Sequence, residues 1–454
     1  MDKKNMNGGY VIGSGGFGCV FQPSLQCKTP DTNDKYTGKK ITKLMMKEHA
    51  DEEYDIITDF QSKLRSIKNY GDYFLLQNIS KCDELKDLTK RDLKGYSNKC
   101  KPLIKNNITK RNINGSLEKL SAITMPYGGV ELNDFFMEEM NNYPKMKDIF
   151  LKLARIVKHG VEPMNKRHVY HGDIKAANIL VDKENVRIID WGLAFHHEKN
   201  DKHIHDDATG RPFQFNVPPT CVILNDKFVK KYDDYLTKNP KPTLKEVTTF
   251  VTSYLDYWNE YRGTGSLSLM NYIYEGILDK KNVTLEQSDY VGDDIKMYIT
   301  NVVHTYTKNG WFDLENYYHD VYLKNMDLWG IVISCIMVLE ILFQNKKTLN
   351  AVEHMVLYDL SELYLYIIEH DAKPMNAKYL YKHLKQLSEL YDSFDDMNII
   401  DATTIKGTKI KSSRSKINNK YKRRHTKKHK KSSKSKTKSS SSKKHTRKLG
   451  AKYF

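Results

Sequence analysis

A strand-like apolar run, Tyr10-Val11-Ile12, stops at Gly13-Ser14-Gly15-Gly16-Phe17-Gly18 and resumes in Cys19-Val20-Phe21. That pattern predicts two short strands joined by a glycine turn. Over residues 48–67 the period becomes helical: Ala50, Tyr54, Ile57, Leu64 and Ile67 form an apolar stripe, with Glu53 on or beside it. Residues 122–129 read as a strand that breaks at a glycine pair. Ile149, Phe150, Leu153, Ile156, Val157, Val161 and Met164 mark an amphipathic helix over 146–169. Ile179-Leu180-Val181 and Val186 to Ile189 predict a small hairpin around Asp182-Lys183-Glu184-Asn185. Helical periods return over 244–261 and 349–390. The most apolar run, 328–343, contains Glu340 and is short for a bilayer span, so it predicts a buried core helix. Residues 83–116 are polar, rich in Lys and Asn and poorly periodic, and read as a loop insertion.

Charge divides the chain. Of its 454 residues, 74 are Lys or Arg and 56 are Asp or Glu, and 21 of the basic ones lie from Lys406 onward, where there is no acid. The rest carries 53 basic against 56 acidic groups, so the basic balance belongs to the end of the chain. Residues 401–454 are dominated by Lys, Arg, Ser, Thr and His and cannot bury a core, which predicts a disordered tail. Its cation density suits a polyanion such as nucleic acid, through counterion release without sequence reading. Nuclear targeting, an anionic membrane surface and phosphorylation of its serines are competing uses. The six cysteines (Cys19, Cys27, Cys82, Cys100, Cys221, Cys335) contain no Cys-x-x-Cys pair. A disulfide framework or structural zinc site is therefore not expected, and a reducing, intracellular compartment fits. The start, Met-Asp-Lys-Lys-Asn, has no apolar stretch behind it and does not read as a signal peptide.

The chemistry concentrates in His171-Gly172-Asp173-Ile174-Lys175-Ala176-Ala177-Asn178 and Ile188-Ile189-Asp190-Trp191-Gly192. The hairpin fixes both flanks, so Asp173 and Asn178 stand just before one strand and Asp190 just after the other. Three oxygen ligands then converge, a set that suits Mg²⁺ together with phosphate oxygens. This arrangement resembles the catalytic loop and metal-binding motif of eukaryotic-type protein kinases. The resemblance implies that Asp173 is the base orienting the acceptor hydroxyl, that Lys175 contacts the transferred phosphate, and that Asn178 and Asp190 hold the metal.

Other stretches extend the resemblance over roughly residues 10–345. A glycine turn alone is weak, and a dinucleotide fingerprint would need a helix after the glycines; a strand-like Cys-Val-Phe follows instead. The resemblance makes Ile12, Gly13, Ser14, Gly15, Gly16, Phe17, Gly18, Cys19 and Val20 the lid over ATP, with Phe17 at its tip and Val20 over the adenine. Lys43, between apolar neighbours, is chosen as the lysine on the α- and β-phosphates, with Glu53 as its partner; Lys40 is the rival lysine and Glu52 the rival acid. Met125 would line the back of the adenine pocket, main-chain groups near Pro126 and Tyr127 would meet the adenine edge, and Leu180 would contact the nucleotide. Asp327, in Asp327-Leu328-Trp329-Gly330, would hydrogen-bond the backbone near the catalytic loop.

Some positions depart from the family pattern. Gly172 stands where most protein kinases have arginine, so no guanidinium at that position clamps an activation-loop phosphate, and activity without such phosphorylation is expected. Trp191 replaces the usual phenylalanine. His196, His197, His203, His205, Asp206 and Asp207 follow in a stretch read as a mobile activation segment; a transition-metal site is disfavoured because the spacing fits neither helix nor finger. The segment ends at Pro212-Phe213-Gln214-Phe215-Asn216-Val217-Pro218-Pro219-Thr220 with no Ala-Pro-Glu, which leaves the usual anchoring ion pair in doubt.

The expected architecture is α+β and bilobal: a small β-rich N-lobe over 1–127 with an insertion at about 83–116, and a larger helical C-lobe over 128–400. A helical insertion at about 224–325 braces the lobe or docks a partner, and the tail follows. The expected function is a Mg²⁺- and ATP-dependent serine/threonine protein kinase. A catalytically weak nucleotide-binding scaffold or packaging protein is the alternative, and a small-molecule phosphotransferase of the same fold comes third. Composition, divergent loops and basic tail resemble kinases of large DNA viruses, which implies host cytoplasm or nucleus and packaging in the virion.

Overall fold

The computed structural model describes residues 10–29, 36–198, 200–201, 203–278 and 290–392. A compact unit ends at Asp392, and the expected tail lies in a second unit, Ser393–Phe454, outside the described residues.

The strand-like stretches form a five-stranded antiparallel sheet of β1 (Tyr10–Ser14), β2 (Gly18–Gln22), β3 (Lys40–Met46), β4 (Ser80–Cys82) and β5 (Leu120–Pro126), in the order β1-β2-β3-β5-β4. Gly18 opens β2 where a Cβ would come within 2.3 Å of the Met45 side chain and 2.7 Å of the Leu44 carbonyl. Only glycine permits that approach. Helix α1 (Lys47–Leu64) leaves β3 directly and buries Ala50, Ile57, Phe60 and Leu64, the predicted stripe with Phe60 added.

Residues 83–116, expected to be a loop, instead form a packed layer with short helices at Tyr96–Lys99 and Lys101–Lys105. Leu85, Leu88, Tyr96, Leu103 and Ile113 are buried against Val11, Phe21 and Leu44 of the sheet. The apolar residues are too sparse to show a period, yet they converge once folded. The expectation of unpaired thiols is also corrected: Cys19 pairs with Cys100 and Cys27 with Cys82, across separations of 81 and 55 residues. Such pairs have no local signature, and the reducing compartment inferred from their spacing loses its support.

Below the sheet, β6 (Val130–Glu131), β8 (Ile179–Val181) and β9 (Val186–Ile188) form a small sheet, while β7 (Val169–Tyr170) pairs with β10 (Phe195–His196). The remainder is helical: α2 (Tyr143–Arg155), α3 (Asp226–Leu236), α4 (Leu244–Arg262), α5 (Asp293–Tyr306), α6 (Leu323–Ile333), α7 (Ile336–Gln344), α8 (Ala351–Glu369) and α9 (Ala377–Asp392). A β-rich part followed by a helical part is the bilobal α+β architecture that the sequence suggested. The run 328–343 is a bent pair of buried helices, α6 and α7, and no single helix among the described residues is long and apolar enough to cross a membrane.

Helix α9 closes the helical part against α2, with Leu380, Leu384 and Leu387 fully buried. Replacing Leu384 with alanine should lower unfolding free energy by about 2–5 kcal/mol, the usual cost of emptying a packed leucine site. A denaturation midpoint equal to wild type would show that this closure contributes nothing.

Candidate functional site

Strand β7 delivers the chain to the 171–178 loop, where successive amides are captured by one side chain. His171 N–H and Gly172 N–H donate to Asp327 Oδ2 and Oδ1 at 3.1 and 3.0 Å, and Asn165 Nδ2 adds a third bond at 2.7 Å. Asp327 is buried, and these donors offset the cost of removing its charge from water. Asp173 follows, also buried. Its Oδ2 accepts from Lys175 Nζ at 3.0 Å and Asn178 Nδ2 at 2.9 Å, and its Oδ1 accepts from Asn216 Nδ2 at 2.8 Å. Asn178 Nδ2 also donates to the Asp173 carbonyl at 2.9 Å, which leaves the amide oxygen as its free-side acceptor.

Asp190 reaches the same place through the backbone. Ile189 N–H donates to the Asn178 carbonyl at 3.0 Å, and His171 Nε2 lies 3.1 Å from the Ile189 carbonyl. Asp190 itself is exposed, with φ at +66°, a region that non-glycine residues rarely occupy and that recurs at functional sites. The His171 imidazole is fully buried; burial pushes its pKa down, opposed by the carboxylates of Asp327, Asp173 and Asp190. Three acids therefore surround one buried imidazole ring.

The upper wall comes from the sheet and α1. Lys43 Nζ and Glu53 Oε2 are 2.5 Å apart. Lys43 lies under the glycine turn: a Cβ on Gly15 would be 3.9 Å from its Cε. Lys40 instead stands over the Tyr36 ring at 5.6 Å, and Glu52 is exposed beside His49. Gly15 N–H donates to the Gly18 carbonyl at 3.0 Å, closing the turn, with Phe17 exposed at its tip. Ile12 accepts from Lys99 Nζ, and Val20 faces Lys43 across the β2–β3 ladder. At the far edge Met125 lies on β5, and Leu180 packs so closely under Gly128 that a Cβ there would meet it at 2.5 Å. The Tyr127 N–H is already donated to the Lys39 carbonyl at 2.8 Å, so it is not a free donor for a ligand.

Trp191 links the two walls. Its ring lies 4.9 Å from that of His171, 5.4 Å from Phe60 on α1 and 5.5 Å from Phe74.

Two of the histidines after Gly192 serve packing. His197 is buried and stacks on His319 at 5.0 Å, and His205 stacks on Phe195 at 4.6 Å. Among the described residues, no group of three or more His, Cys, Asp or Glu is disposed to hold a metal ion. The segment expected to be mobile is tied to β7 through β10. Its end, which has no Ala-Pro-Glu, is a buried turn at Pro219–Ile223 in which Thr220 Oγ1 lies 2.6 Å from Tyr317 Oη. Sequence reasoning passed over Asn216, although an amide in the otherwise apolar run 215–219 was a signal.

Comparison with known proteins points the same way. Residues 7–213 match the family model described as protein kinase domain, spanning the glycine turn through Phe213. A probable serine/threonine-protein kinase of Encephalitozoon cuniculi is 31% identical over 94 residues, which is 20% of this chain and 18% of that one. The chain thus spans less than a fifth of the curated relative it matches.

Burial also lowers the pKa of His159, His197 and His383 from the ordinary 6.5. Once unfolded, these imidazoles and His171 regain the ordinary value, so near and below pH 6.5 the unfolded chain binds more protons. The stability they contribute is present at neutral pH and is lost as pH falls through that value. The melting temperature should therefore drop between about pH 7 and pH 5, and His197→Phe should make the drop shallower. An equally steep acid limb in that variant would exclude His197 as a contributor.

Proposed function

Because the chain carries a protein kinase domain of the eukaryotic type, we propose that it is an ATP-dependent serine/threonine protein kinase that transfers the γ-phosphate of ATP to protein hydroxyls. One observation carries the reading: the Asp173 carboxylate is held on both oxygens by Asn216, Lys175 and Asn178, while a Lys43–Glu53 pair lies under the glycine turn.

In this reading Asp173 accepts the proton of the acceptor hydroxyl and aims its oxygen at the phosphorus. Lys175, already on Asp173 Oδ2, offsets charge on the transferring group. Lys43, fixed by Glu53, holds the α- and β-phosphates, and the backbone amides of 13–18 cover them. The donor set fits Mg²⁺: the Asn178 amide oxygen and the Asp190 carboxylate are hard oxygen ligands, few enough to leave room for phosphate oxygens and water. When bound, the metal supplies charge neutralisation at the phosphates. Leu180 under Gly128, with Met125, Val20 and Tyr127, gives the base an apolar slot. Lys175, two residues after Asp173 and on its carboxylate, favours protein serine or threonine acceptors over small molecules. The charge of the 406–454 stretch adds a polyanion partner to the proposal.

Purified full-length protein incubated with γ-labelled ATP, Mg²⁺ and a panel of basic and acidic proteins should place label on serine and threonine. Asp190→Ala should abolish metal-dependent transfer, and Asp173→Asn should slow it by roughly 10²–10⁴-fold, the usual contribution of a positioned base. Wild-type turnover in either variant would remove the mechanism.

A further inference from the structure

Gly172 has φ at +69°, and a Cβ built on it would lie 2.9 Å from the Leu193 carbonyl and 3.2 Å from Arg211 Nη2. The space next to this glycine is filled by a guanidinium from elsewhere in the chain. Arg211 is buried; its Nη1 donates to the Gly172 carbonyl at 2.7 Å and to Gln214 Oε1 at 3.3 Å, and its Nε to the Asp207 carbonyl at 2.6 Å. These acceptors are neutral oxygens. With Asp327 holding the Gly172 N–H, Arg211 holds the other side of the residue immediately before Asp173.

The segment that carries Arg211 is itself fixed at alternate carbonyls. Trp258 Nε1 of α4 donates to the Arg211 carbonyl at 3.1 Å, Ser266 N–H to that of Phe213 at 2.8 Å, and Trp329 Nε1 of α6 to that of Phe215 at 2.9 Å. Gly265 allows the close pass, since a Cβ there would come within 2.2 Å of the Phe213 carbonyl. Asn216 then reaches Asp173. Two of these donors, Trp258 and Ser266, belong to the 224–325 insertion.

We infer that Arg211 is a positioning residue for phosphoryl transfer, locking the catalytic loop from within the activation segment without a phosphate, and that the insertion keeps it in place. The inference rests on the kinase reading above and assigns the insertion a task in it. A buried guanidinium held at Nη1 and Nε by backbone and amide oxygens, with Nη2 making no hydrogen bond, is set by folding alone, so the Asp173 peptide needs no modification to reach its working position.

Wild type, Arg211→Ala, Arg211→Lys and Trp258→Phe are compared as full-length proteins, each before and after phosphatase treatment. Wild type should keep its kcat within about twofold after phosphatase. Arg211→Ala should lower kcat by about 10- to 100-fold, as loss of a sub-ångström alignment does, while KM for ATP changes less than about twofold. Arg211→Lys should recover part of kcat, and Trp258→Phe should shift it in the same direction by less. Loss of wild-type activity on dephosphorylation, or wild-type kcat in Arg211→Ala, overturns the inference. Should Arg211→Ala not fold, the lysine and Trp258 variants decide by the same split. Wild type that labels no acceptor would fail the kinase reading instead. Hydrogen exchange then still judges the lock: the Asp173 amide must exchange faster in Arg211→Lys than in wild type, and equal rates overturn it.

Discussion

One buried carboxylate, that of Asp327, fixes the backbone on which the site is built. Accepting two consecutive amides at once leaves the His171–Gly172 peptide a single orientation, since rotating it would strand buried N–H groups at about 1–3 kcal/mol each. Two consequences follow. The Gly172 carbonyl must point away from Asp327, toward Arg211, and Asp173 must begin where its side chain meets Lys175, Asn178 and Asn216. The helix that carries Asp327 is buried at every position but Lys324, and its Gly330 passes so close to the loop that a Cβ would come within 2.5 Å of the Ile174 carbonyl. The apolar character of α6 is thus what allows a single acid to be placed against the loop in a fixed register.

The same economy joins the sheet to the helical part. Trp191, next to Asp190, packs on both His171 and Phe60, and Phe60 lies on the helix that bears Glu53. Behind it, Leu75 N–H donates to the Ile188 carbonyl and Ile188 N–H to that of Tyr73, so the chain leaving α1 is bonded to the strand that ends before Asp190. Displacing α1 would disturb the Lys43–Glu53 pair and the Asp190 turn together, because close-packed interiors transmit shifts instead of absorbing them.

Most of the site was legible because its chemistry is local in sequence. Asp173, Lys175 and Asn178 lie within six residues, the hairpin that brings Asp190 back is short, and the stripe on α1 marks Glu53 through the cost of an acid there. What escaped notice is long-range. The two disulfides close over separations of 81 and 55 residues, and the 83–116 layer has its apolar residues too scattered for any period. Asn216 and Trp258 act on residues about 40 positions away or more, through single hydrogen bonds. An asparagine in an apolar run and a tryptophan on an amphipathic helix look like ordinary packing until the partner is visible. The histidines after Gly192, disfavoured as metal ligands because their spacing fits neither helix nor finger, include two that stack on rings, His197 on His319 and His205 on Phe195.

The character of the donors around the 211–216 segment follows from electrostatics. A segment packed inside a lobe without strand pairing leaves carbonyls that each need a donor. Lysines or arginines would serve for hydrogen bonding, but each would add a charge beside Asp173 in a medium of low dielectric, where charges act strongly over short distances. Two indoles and a backbone amide satisfy the Arg211, Phe213 and Phe215 carbonyls without that effect. Positive charge near the Asp173 carboxylate then comes from Lys175, at 3.0 Å, and from the Arg211 guanidinium on the Gly172 carbonyl. A wall of neutral donors reserves the local field for the reacting groups, and two aromatic anchors with few rotatable bonds hold it at small entropic cost. On this view the large size of the insertion reflects the packing needed to bury Trp258 and to bring Gly265 and Ser266 against the 211–216 segment.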